Sequence, residues 1–308
     1  MKESKTTYAY LIEHMQNPSF QEVWDIAYDF VQKLPSELRD ELHESLNRGV
    51  DVLDSEPMLQ MYIYAFGKMH NAKLLHAFNH MQDRVLKNDK ITIIDWGCGQ
   101  GLASLCYHDY LKSCNSLQQV SKIVLIEPSS LALSRAELLC SCFYPDAEIT
   151  AINEPFDSLT ADDISVPSEE LIIHLFSNIL DIESYNLQHL IQTVTNLSSD
   201  NNEYIIVSPI QNALKTQRLK TFASSMDGFI YYENYLDKRQ LDEERDWTCA
   251  VLLCSSITKE EMFESEYDKV FEDARTFFVN KDNDPRGEEG IEILLRLQYC
   301  AELGDNRC

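Results

Sequence analysis

Hydrophobic residues change their spacing along the chain at about residue 90. Before that point they recur three and four positions apart, as at Phe20, Val23, Ala27 and Val31, which is the spacing of amphipathic helices. After it, short apolar runs alternate with segments long enough for helices. Strands that alternate with helices are joined by crossovers and form a parallel sheet. The pattern therefore predicts a helical N-terminal region followed by an α/β region.

Seven apolar runs predict strands, and the last two predict a hairpin. The strands are expected at residues 91–95, 122–127, 147–152, 171–176, 204–207, 229–235 and 247–254, with helices at 102–112, 129–142, 182–197 and 213–223 among them. The last two runs have only a charged loop between them, too short for a crossover helix, so we expect them to pair antiparallel. The predicted fold is a doubly wound, seven-stranded, mostly parallel sheet with an antiparallel terminal strand and an N-terminal helical domain.

The same pattern divides the chain into three regions. We expect the helical domain to cover residues 1–88 and the α/β domain to cover residues 89–257. Residues 258–308 form an acidic C-terminal extension.

The chain is strongly acidic, with 26 basic and 51 acidic side chains and a formal net charge of −25. Such a chain repels a phosphate backbone and attracts cations and basic partners, so a nucleic-acid partner is disfavoured. No apolar run approaches the length of about 18 residues that spans a bilayer, and the N-terminus lacks the apolar core of a signal peptide. We therefore expect a soluble, cytoplasmic protein that does not enter a membrane.

The cysteines and histidines do not predict a disulfide framework or a metal site. The nine cysteines are odd in number and contain no C-x-x-C pair. His76 and His80 lie four positions apart, on one helix face, but the sequence offers no third ligand near them. We expect no bound metal.

The most specific motif is the run of β-branched residues Ile91–Ile94, followed by Asp95 and by Gly97, Gly99 and Gly101. A glycine turn bends the chain sharply and lets backbone N–H groups approach a ligand without a Cβ in the way. The next segment is predicted to be a helix whose N-terminus points at that ligand. A strand, a glycine turn and a helix in this order indicate a nucleotide-type cofactor site.

This motif resembles motif I of the class I S-adenosylmethionine (SAM) methyltransferases, in which a strand-end acid precedes such a turn. Five crossover-linked strands and a terminal hairpin are also the layout of that family, and the resemblance covers residues 91–256. It implies a SAM-binding methyltransferase domain at 89–257. The Gly-x-Gly-x-Gly spacing differs from the dinucleotide fingerprint, so a NAD-dependent oxidoreductase is disfavoured.

The resemblance implies roles for the residues at the ends of the first two strands. Asp95 helps to place the ammonium group of the cofactor and orders the turn, while Gly97, Cys98, Gly99 and Gly101 offer backbone contacts. The run Ile126-Glu127-Pro128-Ser129 matches the family's second motif. A carboxylate at Glu127 can accept hydrogen bonds from both ribose hydroxyls.

The third predicted strand leads into a loop that the resemblance places beside the adenine. Asn153 or Glu154 is expected to face the adenine amino group, and Phe156 to cover the ring. An ordinary polar loop is the alternative.

The fourth predicted strand ends at the corner where the activated methyl group faces its acceptor. The resemblance places Phe176 and Ser177 against the cofactor, and we expect Asn178 to orient the acceptor through its amide. A histidine inside an apolar strand is typical of a satisfied core residue, and the alternative role for His174 is a general base. Asp181 is expected to cap the next helix. Methyltransferases that act on nucleobase amino groups often carry Pro-Pro and an aromatic residue here, so that subgroup is disfavoured.

Two further groups of residues have open roles. Tyr64 and Lys68 share a helix face that either covers the cofactor or packs in the core. Lys215, Arg218 and Lys220 form a compact basic cluster that either lies on a solvated helix face or holds an anionic substrate.

The sequence therefore predicts a SAM-dependent methyltransferase that acts on a small molecule or a protein side chain. One alternative is an RNA methyltransferase. The other is a SAM-binding but inactive partner protein whose flanking regions are docking surfaces.

Overall fold

The structure of the chain is a computed structural model. It describes residues 8–49, 52–81, 83–167, 169–197, 201–209, 212–226, 229–237 and 248–256. The predicted acidic extension at 258–308 lies outside the described residues.

The helices and strands follow the predicted order. The helices are α1 Tyr8–Glu13, α2 Phe20–Gln32, α3 Ser36–Ser45, α4 Glu56–Asn79, α5 Asp83–Leu86, α6 Leu102–Ser113, α7 Ser130–Phe143, α8 Leu187–Thr195 and α9 Ala213–Ser224. The strands are β1 Lys90–Trp96, β2 Gln119–Ile126, β3 Glu148–Ile152, β4 Leu171–Ser177, β5 Asn202–Pro209, β6 Phe229–Asp237 and β7 Thr248–Ser256.

The strands form one sheet in the order β3-β2-β1-β4-β5-β7-β6. Neighbours from β3 to β5 are parallel, while β7 is antiparallel to both β5 and β6. The α/β class and the mostly parallel sheet with its antiparallel terminal strand are confirmed. The chain reverses its direction of winding between β1 and β4, and ligands of such sheets bind at the carboxyl ends of the strands at that point.

The two faces of the sheet are covered by separate apolar clusters. Ile94 and Trp96 of β1 belong to the cluster beneath α8 and α9, whereas Ile91 and Ile93 belong to the cluster beneath the other helices. This second cluster also contains Phe20 of α2 and Ile63 and Leu74 of α4, among other residues. Residues on both sides of position 88 thus share one core, and the division into domains there stays a prediction.

The largest difference from a predicted boundary is at the start of α8. The helix expected at 182–197 begins at Leu187, because Asn186 is its N-cap and accepts hydrogen bonds from the backbone N–H groups of Gln188 and His189 at 3.0 and 3.2 Å. Asp181 therefore does not cap this helix. It accepts a hydrogen bond from Ser208 Oγ at 2.8 Å and so links the ends of β4 and β5.

No helix within the described ranges is both long enough and apolar enough to cross a bilayer.

Candidate functional site

The three glycines after β1 all adopt positive φ, but their surroundings differ. The φ angles of Gly97, Gly99 and Gly101 are 63°, 52° and 79°. A Cβ on Gly97 would lie 2.8 Å from Ile179 Cγ2, and one on Gly101 would lie 3.3 Å from both Ala136 Cβ and Cys140 Sγ. A Cβ on Gly99 would meet no atom within 4 Å. The turn is therefore packed against protein on two sides and open at Gly99.

Asp95 lies beneath this turn and holds the start of α6. It is 1% exposed, and its Oδ2 accepts hydrogen bonds from Ser104 N at 3.3 Å and from Ser104 Oγ at 2.8 Å. Burial raises the pKa of Asp95 to about 7, opposed by these hydrogen bonds and aided by the nearby charge of Glu127. A cation bound beside the turn would favour the ionised form.

Glu127 follows β2 directly and points at the turn. Its Oε2 accepts a hydrogen bond from Gly99 N at 3.0 Å, and its Oε1 accepts one from Ser129 N at 2.9 Å. Burial raises the pKa of this carboxyl group, while the two backbone hydrogen bonds lower it. A carboxylate has about four acceptor positions, so two remain for the hydroxyls of a diol.

The protein itself occupies much of the hydrogen-bonding capacity of the turn. Cys98 N donates to Ile126 O at 3.0 Å, and Gly101 N donates to Cys98 O at 2.7 Å. Gly99 N is bonded to Glu127, and the N-terminal turn of α6 is bonded to Asp95. The place where a phosphate would be bound at a helix N-terminus is thus held by a carboxylate of the chain.

The loop after β3 lies beside Glu127. Asn153 Nδ2 donates to the carbonyl oxygens of Glu127 and Pro128 at 2.8 and 3.0 Å, which joins this loop to the start of α7. The amino group of Asn153 is therefore held, and its carbonyl oxygen is the group that could accept a hydrogen bond from an adenine. Glu154 is exposed.

Phe156 packs at the edge of the turn. It is 9% exposed, lies edge-on to Tyr185 at 5.0 Å between ring centroids, and its Cζ would lie 3.4 Å from a Cβ on Gly97. Its position beside the turn fits the predicted role as one wall of an adenine pocket.

His174 lies in the core and does not fit a general base. It is fully buried; its Nδ1 accepts from Trp96 Nε1 at 3.2 Å, and its Nε2 is 3.1 Å from Asn202 Oδ1. Because Trp96 can only donate, Nε2 carries the proton and donates to Asn202. Burial lowers the pKa of His174 to about 4, and with both ring nitrogens bonded inside the core this side chain has no access to an acceptor.

Phe176 is likewise a core residue rather than a cofactor contact. It is 1% exposed and stacks on Trp96 at 5.5 Å, with Phe222 at 4.7 Å on another side. Its side chain belongs to the apolar cluster beneath α8 and α9, which does not favour the predicted contact with the cofactor.

Ser177 and Asn178 are at the carboxyl end of β4 and contact α4. Lys73 Nζ donates to Asn178 Oδ1 at 2.9 Å, and Asn178 Nδ2 lies 2.5 Å from His70 Nδ1 and 3.0 Å from Ser177 Oγ. Sequence reasoning missed Lys73. Lys73 is three positions after His70 and shares a face of α4 with it, but no local pattern shows that this face meets the end of β4.

Helix α4 also contacts the other end of the site. Gln100 Nε2 donates to Leu59 O at 3.0 Å, and Ser129 Oγ donates to Leu53 O, just before α4, at 2.6 Å. The pKa of Tyr62 is raised, first by burial and then by the charges of Glu127 and Asp181, so its hydroxyl remains protonated. This helix therefore extends from the glycine turn to the end of β4.

Tyr64 and Lys68 lie on a different face of α4. The ammonium group of Lys68 is 3.6 Å from the centre of the Trp24 ring, and Tyr64 stacks on the same ring at 6.1 Å. Both pack against α2, so neither reaches the cofactor site.

The basic cluster on α9 is part of the scaffold. Arg218 donates to the carbonyl oxygens of Leu180 and Tyr185 at 3.1 and 3.4 Å, and Lys215 Nζ is 3.9 Å from Asp181 Oδ2. These contacts fit neither a solvated face nor an anion site. Within the described ranges, no three His, Cys, Asp or Glu side chains lie close enough to hold a metal ion.

Comparison with solved structures finds similarity to several methyltransferases. The plantazolicin methyltransferase BpumL, in complex with S-adenosylhomocysteine (SAH), is 12% identical over 75% of this chain and 100% of its own, with a TM-score of 0.40. TrmK of M. capricolum, in complex with SAH, is 16% identical over 64% of this chain and 82% of its own, with a TM-score of 0.35.

The geranyl diphosphate C-methyltransferase of Streptomyces coelicolor A3(2) is 9% identical over 68% of this chain and 87% of its own, with a TM-score of 0.39. No protein-family model and no curated protein matches the chain. These likenesses are remote in sequence and partial in structure, so the assignment of a function rests on the geometry of the site.

Proposed function

We propose that this protein is a SAM-dependent methyltransferase that acts on a small-molecule or protein acceptor. The observation that carries the proposal is the hydrogen bond between the Glu127 carboxylate and the N–H of Gly99, the one glycine of this turn whose Cβ direction is open. An acid at the end of β2 that faces an open glycine turn suits the ribose diol of an adenosine.

The charge of the site favours SAM over a dinucleotide. The charge of Glu127 contributes to the raised pKa of Asp95; Glu127 holds the N–H of Gly99 in the turn, and Asp95 holds that of Ser104 in α6. A pyrophosphate would need those N–H groups and would face two carboxylates. SAM has no phosphate and carries an ammonium and a sulfonium group, so the same carboxylates attract it.

The proposed cofactor contacts are the residues that the resemblance implies around this turn. Asp95 would face the ammonium group, Glu127 the ribose, and Asn153 and Phe156 the adenine. The other proposed contacts are Gly97, Cys98, Gly99, Gly101, Pro128, Glu154 and Ser177.

SAM supplies an activated methyl group, so the protein needs only to align the acceptor and to exclude water. Asn178 directly follows β4, the strand next to β1, where an acceptor would approach the turn, and a Cβ on Gly97 would lie 2.8 Å from its neighbour Ile179. We propose Asn178 as the residue that orients the acceptor. With His174 in the core, no general base is assigned to the reaction.

The two alternative functions are an RNA methyltransferase and an inactive SAM-binding partner, and the charge of the chain and the contacts of Asn178 bear on them. An RNA methyltransferase needs a basic surface, whereas the chain carries a net charge of −25 and Arg218 is used inside the scaffold. An inactive SAM-binding partner is favoured by one observation, namely that α4 already occupies the Asn178 amide.

Isothermal titration with SAH, SAM and NAD tests the cofactor. We expect micromolar binding of SAH and SAM and none of NAD; heat with NAD alone would refute the proposal. Glu127→Gln is expected to weaken SAH binding at least tenfold, because it removes a charge-assisted acceptor worth about 1.5–3 kcal/mol. Glu148→Gln is the matched control, because Glu148 begins β3 and so lies at the end of the strands opposite to Glu127.

Transfer of label separates an enzyme from an inactive binder. The protein is incubated with methyl-labelled SAM and fractionated cell extract, and we expect label in a small-molecule or protein fraction. Label in RNA would favour the RNA alternative. Binding of SAH without any label transfer would favour the inactive partner.

A further inference from the structure

The hydrogen-bonding partners of Asn178 determine the orientation of its side-chain amide. Lysine has donors and no acceptor, so the atom 2.9 Å from Lys73 Nζ must be the amide oxygen. The amide nitrogen then faces His70 Nδ1 at 2.5 Å and Ser177 Oγ at 3.0 Å, which takes up both of its hydrogens. Among these contacts, the position that remains on the amide is the second lone pair of Oδ1.

This arrangement also fixes the state of His70. A nitrogen that accepts from Asn178 Nδ2 carries no proton, so His70 is neutral with its hydrogen on Nε2. The surroundings agree, since burial and the nearby Lys73 both lower the pKa of His70. His70 is 6% exposed, and its ring stacks on Tyr62 at 5.8 Å.

The backbone of Asn178 is fixed as well. It adopts the left-handed region at φ 59°, which asparagine tolerates better than most residues, and its N–H donates to Val207 O at 2.7 Å. The next residue, Ile179, would lie 2.8 Å from a Cβ on Gly97. Asn178 and Ile179 are therefore packed between β5, the glycine turn and α4.

We propose that Lys73 and His70 are positioning residues for the methyl transfer proposed above, on which this inference rests. They turn the carbonyl oxygen of Asn178, rather than its amino group, toward an incoming acceptor. An acceptor that Asn178 orients must then donate a hydrogen bond, so the substrate class is an amine, an amide N–H or a hydroxyl.

In the transfer, a lone pair of the acceptor nitrogen or oxygen forms the new bond to the methyl carbon. The bond from that carbon to sulfur breaks with its electron pair left on sulfur, which gives neutral SAH. The acceptor then loses its proton to water, and no oxidant or reductant is needed.

The first test measures the protonation state of His70, which reports the orientation of the Asn178 amide in the absence of an acceptor. Histidine ¹⁵N NMR of the ligand-free protein should show His70 neutral, with the proton on Nε2. In Asn178→Asp, a carboxylate replaces the donor that faces Nδ1, and we expect the pKa of His70 to rise above that of the wild type. Tyr62 and Lys73 also face His70 and are unchanged by the substitution. A proton on Nδ1 in the wild type, or an unchanged His70 pKa in Asn178→Asp, would overturn the proposal.

The second test asks whether the contacts of Lys73 and His70 with Asn178 contribute to methyl transfer rather than to folding. In Lys73→Met we expect label transfer at saturating SAM to fall at least tenfold while SAH affinity changes less than twofold; Lys73→Arg should recover part of the rate. His70→Gln, which keeps an acceptor for Asn178, should retain more activity than His70→Leu. Equal rates in Lys73→Met and wild type would refute the positioning role.

These outcomes are distinct from failure of the proposed function. Absence of SAH binding by the wild-type protein would refute the function itself. If Lys73→Met does not fold, the NMR comparison with Asn178→Asp and the pair of His70 variants still decide the proposal.

Discussion

At the scale of single residues, the three glycines of the turn serve different purposes. All three need the left-handed backbone, but Gly101 is also pressed against α7, and Gly97 is pressed against Ile179. Only at Gly99 does the missing side chain leave space that protein does not fill. That space is where the backbone can approach a ligand closely.

Exchange of these glycines should separate ligand binding from folding. Gly99→Ala is expected to cost about 1–2 kcal/mol of folding free energy from the left-handed backbone, and to weaken SAH binding at least tenfold because the new methyl group enters the ligand space. Gly101→Ala should destabilise the protein more, because its Cβ meets Ala136 and Cys140 at 3.3 Å. Urea unfolding and titration calorimetry measure both quantities. Normal SAH binding by a folded Gly99→Ala protein would contradict this assignment.

Asp95 should couple cofactor binding to pH. Its pKa of about 7 means that the free site is half protonated near neutrality, and the ammonium group of SAM favours the ionised form. We therefore expect SAM affinity to rise between pH 6 and pH 8, and Asp95→Asn to bind weakly with little pH dependence. A wild-type profile that is flat over this range would refute the coupling.

A second prediction for Asp95 concerns the stability of the folded protein, which should change with pH in the opposite direction to SAM affinity. The folded pKa is raised above the ordinary value of 3.8, so this group stabilises the folded protein at low pH and the effect is lost as pH rises to about 7. The stability of Asp95→Asn relative to wild type should accordingly increase from pH 4 to pH 7, by at most about 4 kcal/mol. Urea unfolding at several pH values measures the difference.

Residues of the site could be predicted from the sequence where a motif fixes the backbone. Asp95, the glycines and Glu127 lie together because they end neighbouring parallel strands. His174 lies in the core, as expected of a histidine inside an apolar strand, whereas the burial of Phe176 could not be predicted because a fully buried strand does not show which face is toward the ligand. Lys73 could not be assigned to the site, since its partner Asn178 is 105 positions away.

At the scale of elements, the start of α7 links two parts of the site. Ser129 is the N-cap of α7, where its Oγ accepts from Ala132 N at 3.2 Å, and the same hydroxyl donates to Leu53 O ahead of α4. One side chain therefore joins the strand that carries Glu127 to the helix that covers the site.

Ser129→Ala should lower both stability and affinity. Loss of the cap is expected to cost about 1 kcal/mol, and release of α4 beside Glu127 should weaken SAH binding severalfold. Ser19→Ala removes the N-cap of α2, where Ser19 Oγ accepts from Glu22 N at 3.2 Å, and is the control with a similar loss of stability. If both variants bind SAH equally well, the link through Ser129 has no role in binding.

Element boundaries could be predicted only where local chemistry is decisive. Two serines ahead of an apolar helical repeat predict an N-cap at Ser129 or Ser130, and in the structure the cap is Ser129. The start of α8 was predicted too early because Ile182 and Tyr185 are apolar and fit a helical repeat. In the structure they belong to a loop that packs against the cluster beneath α8 and α9.

At the scale of the whole molecule, the fold class could be predicted because strand and helix periods differ clearly after residue 90. The packing of the N-terminal helices could not. Their apolar faces indicate burial but not the partner, and the structure shows that Ile12, Phe20 and Ile63 join the same cluster as Ile93. Such contacts are long-range and leave no local signal in the sequence.

The net charge of −25 should make stability depend on salt. Self-repulsion destabilises a compact acidic chain, and at about 0.1 M salt the screening length is roughly 10 Å. We expect the urea midpoint to rise when NaCl is increased from about 10 to about 150 mM, and KCl to act equally. A midpoint that falls with salt would show that attractive ion pairs outweigh the repulsion.

The span of α4 from the glycine turn to the end of β4 bears on how the protein can be engineered. A fragment that begins at Lys90 would expose Ile93 and its apolar neighbours to water and would leave Asn178 unsupported. The preceding helices therefore cannot be exchanged as an independent cassette. Any chimera that aims to change the acceptor must carry α4 together with the sheet that it covers.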